Sequence, residues 1–253
     1  MGGRHAPDPW LELMRAAEHV AARGATSTFS AVAPAWRRRT KSEARWPVTL
    51  TVAVAVVLQL RLPDQLALHP LYLLYLLPAL EGALFVGLLI ANPFRFERFS
   101  RPVRAMSVVL VLLITAANAF SAGRLVYLIV TGHTGKNPVY LLASGAAVWA
   151  TNVIAFALWY WEFDRGGPVL RALGERHYPD LLFPQMVSPE LATPDWDARF
   201  VDYLYTSFTN ATAFSPTDVM PLARWAKLTF MVQSGVSLVL GALVVARAVN
   251  ILH

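Results

Sequence analysis

The chain contains no cysteine, so it forms no disulfide, holds no thiolate metal site and has no cysteine nucleophile. Charged residues are scarce, at 15% of the chain against about 25% in ordinary soluble domains. The first 45 residues lack the apolar core of a secretory signal peptide. The six histidines show no metal-ligand spacing, and P-loop, dinucleotide-binding and Gly-x-Ser-x-Gly motifs are missing. We therefore expect no catalytic site, no metal and no cofactor, and hence not an enzyme.

Apolar residues are abundant instead, at 56% of the chain, and the mean hydropathy is +0.45. Five apolar runs each approach the roughly 20 residues that cross a bilayer. We predict an all-α integral membrane protein with transmembrane helices at Trp46–Leu62, Leu71–Ala91, Met106–Val130, Val139–Trp161 and Leu228–Ile251. The chain then divides into a basic cytoplasmic or interfacial segment (1–45), a four-span bundle (46–161), a proline-rich polar connector (162–199) and a hairpin with the final helix (200–253).

The net charge of +6 is concentrated beside the apolar runs. Basic loops of this kind face the cytoplasm and attract anionic lipid headgroups. They lie before the first run and between the second and third, at Arg37, Arg38, Arg39, Lys41 and Arg45, and again at Arg95, Arg98, Arg101 and Arg104. This distribution places the N-terminus in the cytoplasm and predicts membrane lipid, and no nucleic acid, as the partner of these charges.

A few polar residues interrupt the apolar runs. Glu81 lies near the middle of the second run, and a carboxylate at that depth is either a functional site or a hydrogen-bonded structural group. Arg124 falls within reach of Glu81 if their helices touch. Asn118, Asn152 and Gln233 are amides of the type that hydrogen-bond between membrane helices. We favour interhelical hydrogen bonding over transport for this set.

The connector contains five prolines, too many for one long helix, and its Phe183 and Trp196 predict that it packs on the membrane face. Three carboxylates near that face could serve a lipid-processing enzyme: Glu162, Asp164 and Glu175. Carboxylates next to arginines are usually solvated ion pairs, so we expect these side chains to be solvated.

The last third of the chain carries a recognisable pattern. Its members are Trp196, Asp202, Tyr203, Leu204, Tyr205, Ser207, Phe208, Ser215 and Asp218, then a basic patch and an apolar helix that ends Ala248-Val249-Asn250. This pattern resembles a family of multi-span bacterial inner-membrane proteins of uncharacterised function. The resemblance implies a multi-pass protein of the bacterial cytoplasmic membrane, and it implies no activity.

Residues Tyr205–Phe208 and the hydroxyl-rich turn after them also resemble the pore helix and filter of pore-loop cation channels. Potassium filters have Gly-Tyr-Gly where this chain has Ser215-Pro216-Thr217. Because Pro216 fixes φ and lacks an N–H, hydroxyls and a carboxylate, rather than stacked carbonyls, would contact a partly hydrated cation. The resemblance implies a homo-oligomeric, cation-conducting pore of non-potassium type, lined by Thr209, Asn210, Thr212, Ser215, Pro216, Thr217 and Asp218.

Other interpretations remain open for the same residues. Ser215–Asp218 is also an ordinary turn, and residues 200–221 would then be a hairpin that seals a non-conducting bundle with a structural or partner-binding role. A proton-coupled transporter with a broken helix would use Glu81. Residues 200–221 either dip in from the cytoplasm and return, giving five spans and a re-entrant helix, or cross fully, giving six.

Overall fold

A computed structural model describes residues 35–37, 39–66, 71–91, 101–133, 137–176, 178–193, 196–212 and 218–252. Helices dominate these residues: α1 (Trp46–Leu60), α2 (Leu71–Ala91), α3 (Arg101–Val130), α4 (Pro138–Phe163), α5 (Pro168–Leu173), α6 (Pro184–Val187), α7 (Phe200–Thr212) and α8 (Arg224–Leu252). Most of the predicted N-terminal segment, residues 1–34, and the basic loop at 92–100 lie outside the described residues.

Proline and asparagine mark where several helices begin. The Asn137 side chain accepts hydrogen bonds from the backbone N–H groups of Val139 (3.0 Å) and Tyr140 (3.4 Å), and so caps α4. Pro138 follows it at the first helical position, where a missing N–H costs nothing. α1 has Pro47 at its start for the same reason. These local signals place the helix starts close to the predicted apolar runs.

Three helices in the described part of the chain are long and apolar enough to cross a membrane: Arg101–Val130, Pro138–Gly166 and Arg224–Ile251. α1 has only 15 residues, which is about 22 Å at 1.5 Å per residue, against a hydrocarbon core of about 30 Å. α2 has 21 residues, Leu71–Ala91, and contains Pro78. The chain is therefore a helical membrane protein.

α4 is the central helix and packs against α8, α7, α3 and α1. Gly145 on α4 allows the closest approach, because a Cβ atom at this position would lie 2.7 Å from Cγ1 of Val244 on α8. Small residues at such crossings let membrane helices pack backbone to backbone. The α4–α8 contact therefore depends on the missing side chain at position 145.

One end of the bundle gathers the start of α1, the end of α2, the start of α3 and the end of α4. Arg45 Nη1 donates to the Leu88 carbonyl, and Arg104 Nε lies 3.7 Å from Oε1 of Glu162. The connector covers this end, so we call it the connector end. Phe183 of the connector is buried there, with its ring centroid 5.9 Å from that of Trp196, as the predicted packing on this face requires.

The hairpin segment begins and ends at the connector end. The Phe200 N–H donates to Glu43 Oε1 (2.5 Å), and α7 then runs inward until Ser207 Oγ donates to the Val153 carbonyl (2.6 Å). On its return the chain forms a two-residue strand, β2 (Met220–Pro221), which pairs antiparallel with β1 (Leu181–Leu182) of the connector. This short pair is a small departure from the predicted all-α fold, and it ties the returning chain to the connector.

Candidate functional site

The predicted pore residues that the structure describes differ in exposure and in their hydrogen bonds. Thr209 Oγ1 donates to the Tyr205 carbonyl of its own helix (2.9 Å), and the exposed Thr212 donates to the Phe208 carbonyl (2.9 Å). Asp218 is exposed and accepts a hydrogen bond from the Tyr205 hydroxyl (3.0 Å). Three others lie outside the described residues: Ser215, Pro216 and Thr217.

Asn210 points into the bundle. Its Nδ2 donates to the Phe230 carbonyl (3.1 Å) and to Oε1 of Gln233 (2.9 Å), while Ser234 Oγ donates to its Oδ1 (3.0 Å). Gln233 is fully buried and also accepts from the Tyr160 hydroxyl (2.6 Å). The interhelical hydrogen bonds predicted for Gln233 are therefore present. Asn210 therefore joins α7 to α8.

The other intramembrane amides also join helices. Asn152 Nδ2 on α4 donates to Ser237 Oγ on α8 (3.2 Å). In the amide orientation that its neighbours require, Asn118 Nδ2 on α3 donates to the Val148 carbonyl of α4 (3.1 Å). Both amides thus make the interhelical hydrogen bonds that the sequence predicts for them.

The expected pairing of Glu81 with Arg124 is wrong. Arg124 is exposed, and its Nε donates to the Gln65 carbonyl (3.3 Å). α2 and α3 run antiparallel with Gly87 beside Met106, so Arg124 lies roughly 18 Å along α3 from the level of Glu81. Glu81 is fully buried, and neither of its carboxylate oxygens has a hydrogen-bond partner among the described residues.

A buried ion-pair cluster lies at the connector end, where α4 gives way to α5. Asp164 and Arg165 are 0% and 1% exposed and Glu162 is also buried, so the expectation of solvated pairs is wrong for Glu162 and Asp164, whereas Glu175 is exposed. Arg165 Nε donates to Asp164 Oδ2 (3.2 Å) and its Nη2 to Asp197 Oδ1 (2.6 Å). The Tyr203 hydroxyl on α7 donates to the same Asp164 oxygen (2.5 Å). The cluster joins α4, the connector and α7, which keeps water out of it.

The backbone explains how Arg165 becomes buried. Arg165 has φ of 53° and is the only non-glycine residue with positive φ in the described part of the chain. Gly166 (84°) and Gly167 (97°) continue the left-handed turn, which only glycine adopts readily. The Arg165 N–H donates to Asp180 Oδ2 (2.8 Å), which holds the turn in place. The turn sends the chain into α5 and leaves the guanidinium beneath the connector.

Beside this cluster is a charged cavity of about 210 Å³, formed where the N-terminal segment meets α5 and the end of the connector. Four basic and two acidic side chains line it, giving 4 − 2 = +2 in formal charge. Its walls consist of Arg39, Thr40, Lys41, Glu43, Pro168, Arg171, Ala172, Asp197, Ala198 and Arg199. Such a lining favours an anion.

Arg171 on α5 forms the inner wall of the charged cavity. Only 2% of it is exposed, and its Nη1 donates to the carbonyls of Trp161 (2.8 Å) and Asp164 (3.3 Å). Its Nη2 lies 3.7 Å from Glu43 Oε2 and makes no hydrogen bond with the described residues. A buried guanidinium nitrogen therefore has donor capacity left beside the cavity.

Glu43, on the opposite wall, is already hydrogen-bonded. Its Oε2 accepts from Trp161 Nε1 (2.8 Å) and its Oε1 from the Phe200 N–H. Burial raises the pKa of this carboxyl above 4.5, and the charge of Arg171 together with those two hydrogen bonds offsets only part of the rise. Both Glu43 oxygens thus already accept a hydrogen bond from a group outside the cavity's basic side chains.

A second opening, the groove, lies between α1, α2, α3 and α4 and extends from the connector end into the bundle. Its walls are mostly apolar, with a polar rim made by Arg45, Arg104, Ser107 and Glu162. Ser107 Oγ donates to Glu162 Oε2 (2.8 Å) at this rim. Pro168 lines both the groove and the charged cavity, so the two openings adjoin.

The sequence pattern did not point to this site, because its walls come from three distant parts of the chain: residues 39–43, 168–172 and 197–199. The basic cluster before α1 and the Asp164-Arg165-Gly166-Gly167 turn were visible, but nothing in their spacing joins them. No protein-family model, curated protein or solved structure matches the chain.

Proposed function

We propose that this protein is a membrane-embedded binding protein that takes an oxyanion, of phosphate or carboxylate type, in the charged cavity. The observation that carries this proposal is the unsatisfied Nη2 of buried Arg171 in a cavity of formal charge +2. A buried donor without a partner costs about 1–3 kcal/mol, and an oxyanion that accepts its hydrogen bond recovers that cost. Guanidinium groups suit the planar geometry of such ligands.

The acids of the cavity wall do not neutralise its bases. Asp197 Oδ1 accepts from Arg165, and its Oδ2 accepts from Thr40 Oγ1 (3.0 Å), so this carboxylate belongs to the buried cluster. Glu43 is held by the indole of Trp161 and the backbone of Phe200. Three exposed bases complete the rim of the cavity: Arg39, Lys41 and Arg199.

We place the protein in the bacterial cytoplasmic membrane with five spans and with the connector end facing the cytoplasm. The support is the basic side chains gathered at that end, namely Arg45, Arg104, Arg224 and Lys227. Trp225 places the start of α8 there as well, since its Nε1 donates to Asp180 Oδ1 (3.2 Å). An interfacial basic cavity at this position is accessible both to cytoplasmic anions and to lipid headgroups.

Inorganic phosphate tests the proposal. It is titrated by calorimetry into the detergent-solubilised full chain at low ionic strength, where exposed charges are least screened. We expect saturable binding that Lys41→Gln and Arg199→Gln each weaken by about 2–5-fold. The matched controls, Lys227→Gln and Arg224→Gln, alter exposed bases at the same end that do not line the cavity. Absence of saturable binding, or equal losses in both sets of variants, would overturn the proposal.

Cation conduction is a second candidate function, favoured by the path of residues 200–221. α7 has 13 residues, about 20 Å at 1.5 Å per residue, and the described contacts put both ends of the segment at the connector end. A homo-oligomer could bring the exposed Thr212 and Asp218 of several copies together. Cation flux from reconstituted liposomes that Asp218→Asn reduces would support this function, and a lack of flux would remove it.

A further inference from the structure

We propose that the anion is the headgroup of a single-chain, lipid-like amphiphile whose hydrocarbon chain enters the groove. This inference rests on the proposed function, because it takes the charged cavity as the headgroup site. The proposed ligand has two parts, an oxyanion and an alkyl chain.

The first support is the chemistry of the groove walls. Beyond the polar rim, side chains from α1, α2, α3 and α4 form an apolar lining: Val48, Val52, Phe85, Leu88, Leu110, Val111 and Leu158. The volume is about 70 Å³, on the order of five water positions, which suits a segment of an alkyl chain and not a whole lipid. The space therefore matches a slender apolar group.

The second support is the contact between the two sites. Pro168 lines both, and α5 supplies Val169 to the groove and Arg171 to the charged cavity. Trp161 lines the groove, and its Nε1 donates to Glu43 Oε2 on the wall of the charged cavity (2.8 Å). An amphiphile that straddles Pro168 would place its charge on one side and its chain on the other.

The third support is charge at the groove rim. Arg104 Nε lies 3.7 Å from Oε1 of Glu162, whose Oε2 accepts from Ser107 Oγ, and Arg45 also lines the rim. With two bases and one acid, the rim carries a formal charge of 2 − 1 = +1. Both openings are therefore basic, and an amphiphile with a negative headgroup is favoured over a cationic one.

The test compares inorganic phosphate with dodecyl phosphate on the detergent-solubilised full chain. We expect Val52→Phe, which fills the groove from α1, to weaken dodecyl phosphate binding about tenfold, equivalent to displacing roughly two buried methylene groups. The affinity of Val52→Phe for inorganic phosphate should stay within about twofold of the wild-type affinity. Retained phosphate binding would also show that the variant folds. Val57→Phe is the matched control on α1, because Val57 is exposed and does not line the groove. Partitioning of dodecyl phosphate into detergent is the same for every variant and cancels from the comparison.

The outcomes separate the two proposals. If inorganic phosphate binds but Val52→Phe leaves dodecyl phosphate affinity unchanged, this inference is overturned and the proposed function stands. If Val52→Phe weakens dodecyl phosphate binding but Lys41→Gln and Arg199→Gln do not, the headgroup lies outside the charged cavity. That result also overturns the inference. If neither ligand binds, both proposals are overturned.

Discussion

The Tyr203 hydroxyl donates to Asp164 Oδ2 across 2.5 Å, and neither side chain reaches solvent. This bond joins the first turns of α7 to the end of α4. Arg165 Nε donates to the same oxygen (3.2 Å), so the tyrosine completes the solvation of a buried carboxylate that one cation alone would leave partly unsatisfied. The position of α7 therefore depends on a phenol and a carboxylate 39 residues apart in sequence.

Removing that hydroxyl should destabilise the protein. We expect Tyr203→Phe to lower the free energy of unfolding by about 1–3 kcal/mol, because Asp164 loses a donor in a site that water does not reach. Thermal unfolding of the solubilised protein measures the change. Tyr205→Phe is the control, since it removes an exposed hydrogen bond to Asp218. Equal losses in the two variants would contradict the role given to Tyr203.

Glu43 should give the stability a characteristic pH dependence. Burial raises the pKa of this carboxyl in the folded protein above 4.5, so the folded chain holds the proton more tightly than the unfolded chain. Its contribution is therefore fully present below pH 4.5 and is lost as the pH rises through the raised pKa. The stability of the wild type relative to Glu43→Gln should fall across this window, as measured by thermal unfolding at several pH values. Glu190→Gln, at an exposed side chain, is the control, and a difference that increases with pH would contradict the prediction.

Any side chain at position 145 should weaken the α4–α8 contact and destabilise the protein. We expect Gly145→Ala to cost about 1–3 kcal/mol, because the new Cβ atom would lie 2.7 Å from Val244 Cγ1. Adding Val244→Ala should restore part of the loss, since it removes the atom in conflict. Gly123→Ala on α3 is the control, because no atom lies within 4 Å of a Cβ placed there. Unfolding measurements on these three variants and the wild type test this packing, which would be refuted if adding Val244→Ala increased the loss caused by Gly145→Ala.

Asn210 should be poorly accessible to water-soluble reagents. The chain has no native cysteine, so single cysteines can be introduced without background labelling. We expect Asn210→Cys to react at least about tenfold more slowly than Lys227→Cys with a charged methanethiosulfonate reagent, because the Asn210 side chain bonds α8 while Lys227 is exposed at the connector end. Comparable fast rates at both positions would instead indicate a watery path along α7.

The sequence predicts the helices well where apolar runs end at proline or charge. The bounds of α2 are those predicted, Leu71–Ala91, and α4 begins one residue before the predicted Val139 because Asn137 caps it. α3 begins earlier than Met106, since its basic first turn continues the helix. α1 ends at Leu60, short of the predicted Leu62. Local composition thus determines where most helices begin and end.

The candidate site could not be predicted in the same way, because tertiary contacts decide it. Polar residues along 200–212 predict that α7 contacts polar groups. Whether those groups are water molecules or the side chains of Gln233 and Tyr160 depends on how α4 and α8 pack. Likewise, a carboxylate beside an arginine predicts a solvated pair, and only the left-handed turn at Arg165 buries it. The charged cavity is formed by three segments of the chain. Nothing in their sequence spacing shows that they lie close together in the folded protein.

The bond between Glu43 and the Phe200 N–H connects residues 157 positions apart. During synthesis, at about 5–20 residues per second, Glu43 leaves the ribosome on the order of ten to thirty seconds before its donor is made. The basic segment before α1 can therefore dock only after the intervening helices have been synthesised. Docking of Glu43 is therefore a late event in biogenesis, and a nascent chain released before Phe200 would contain α1 to α4 but lack the donor that holds Glu43 at the wall of the charged cavity.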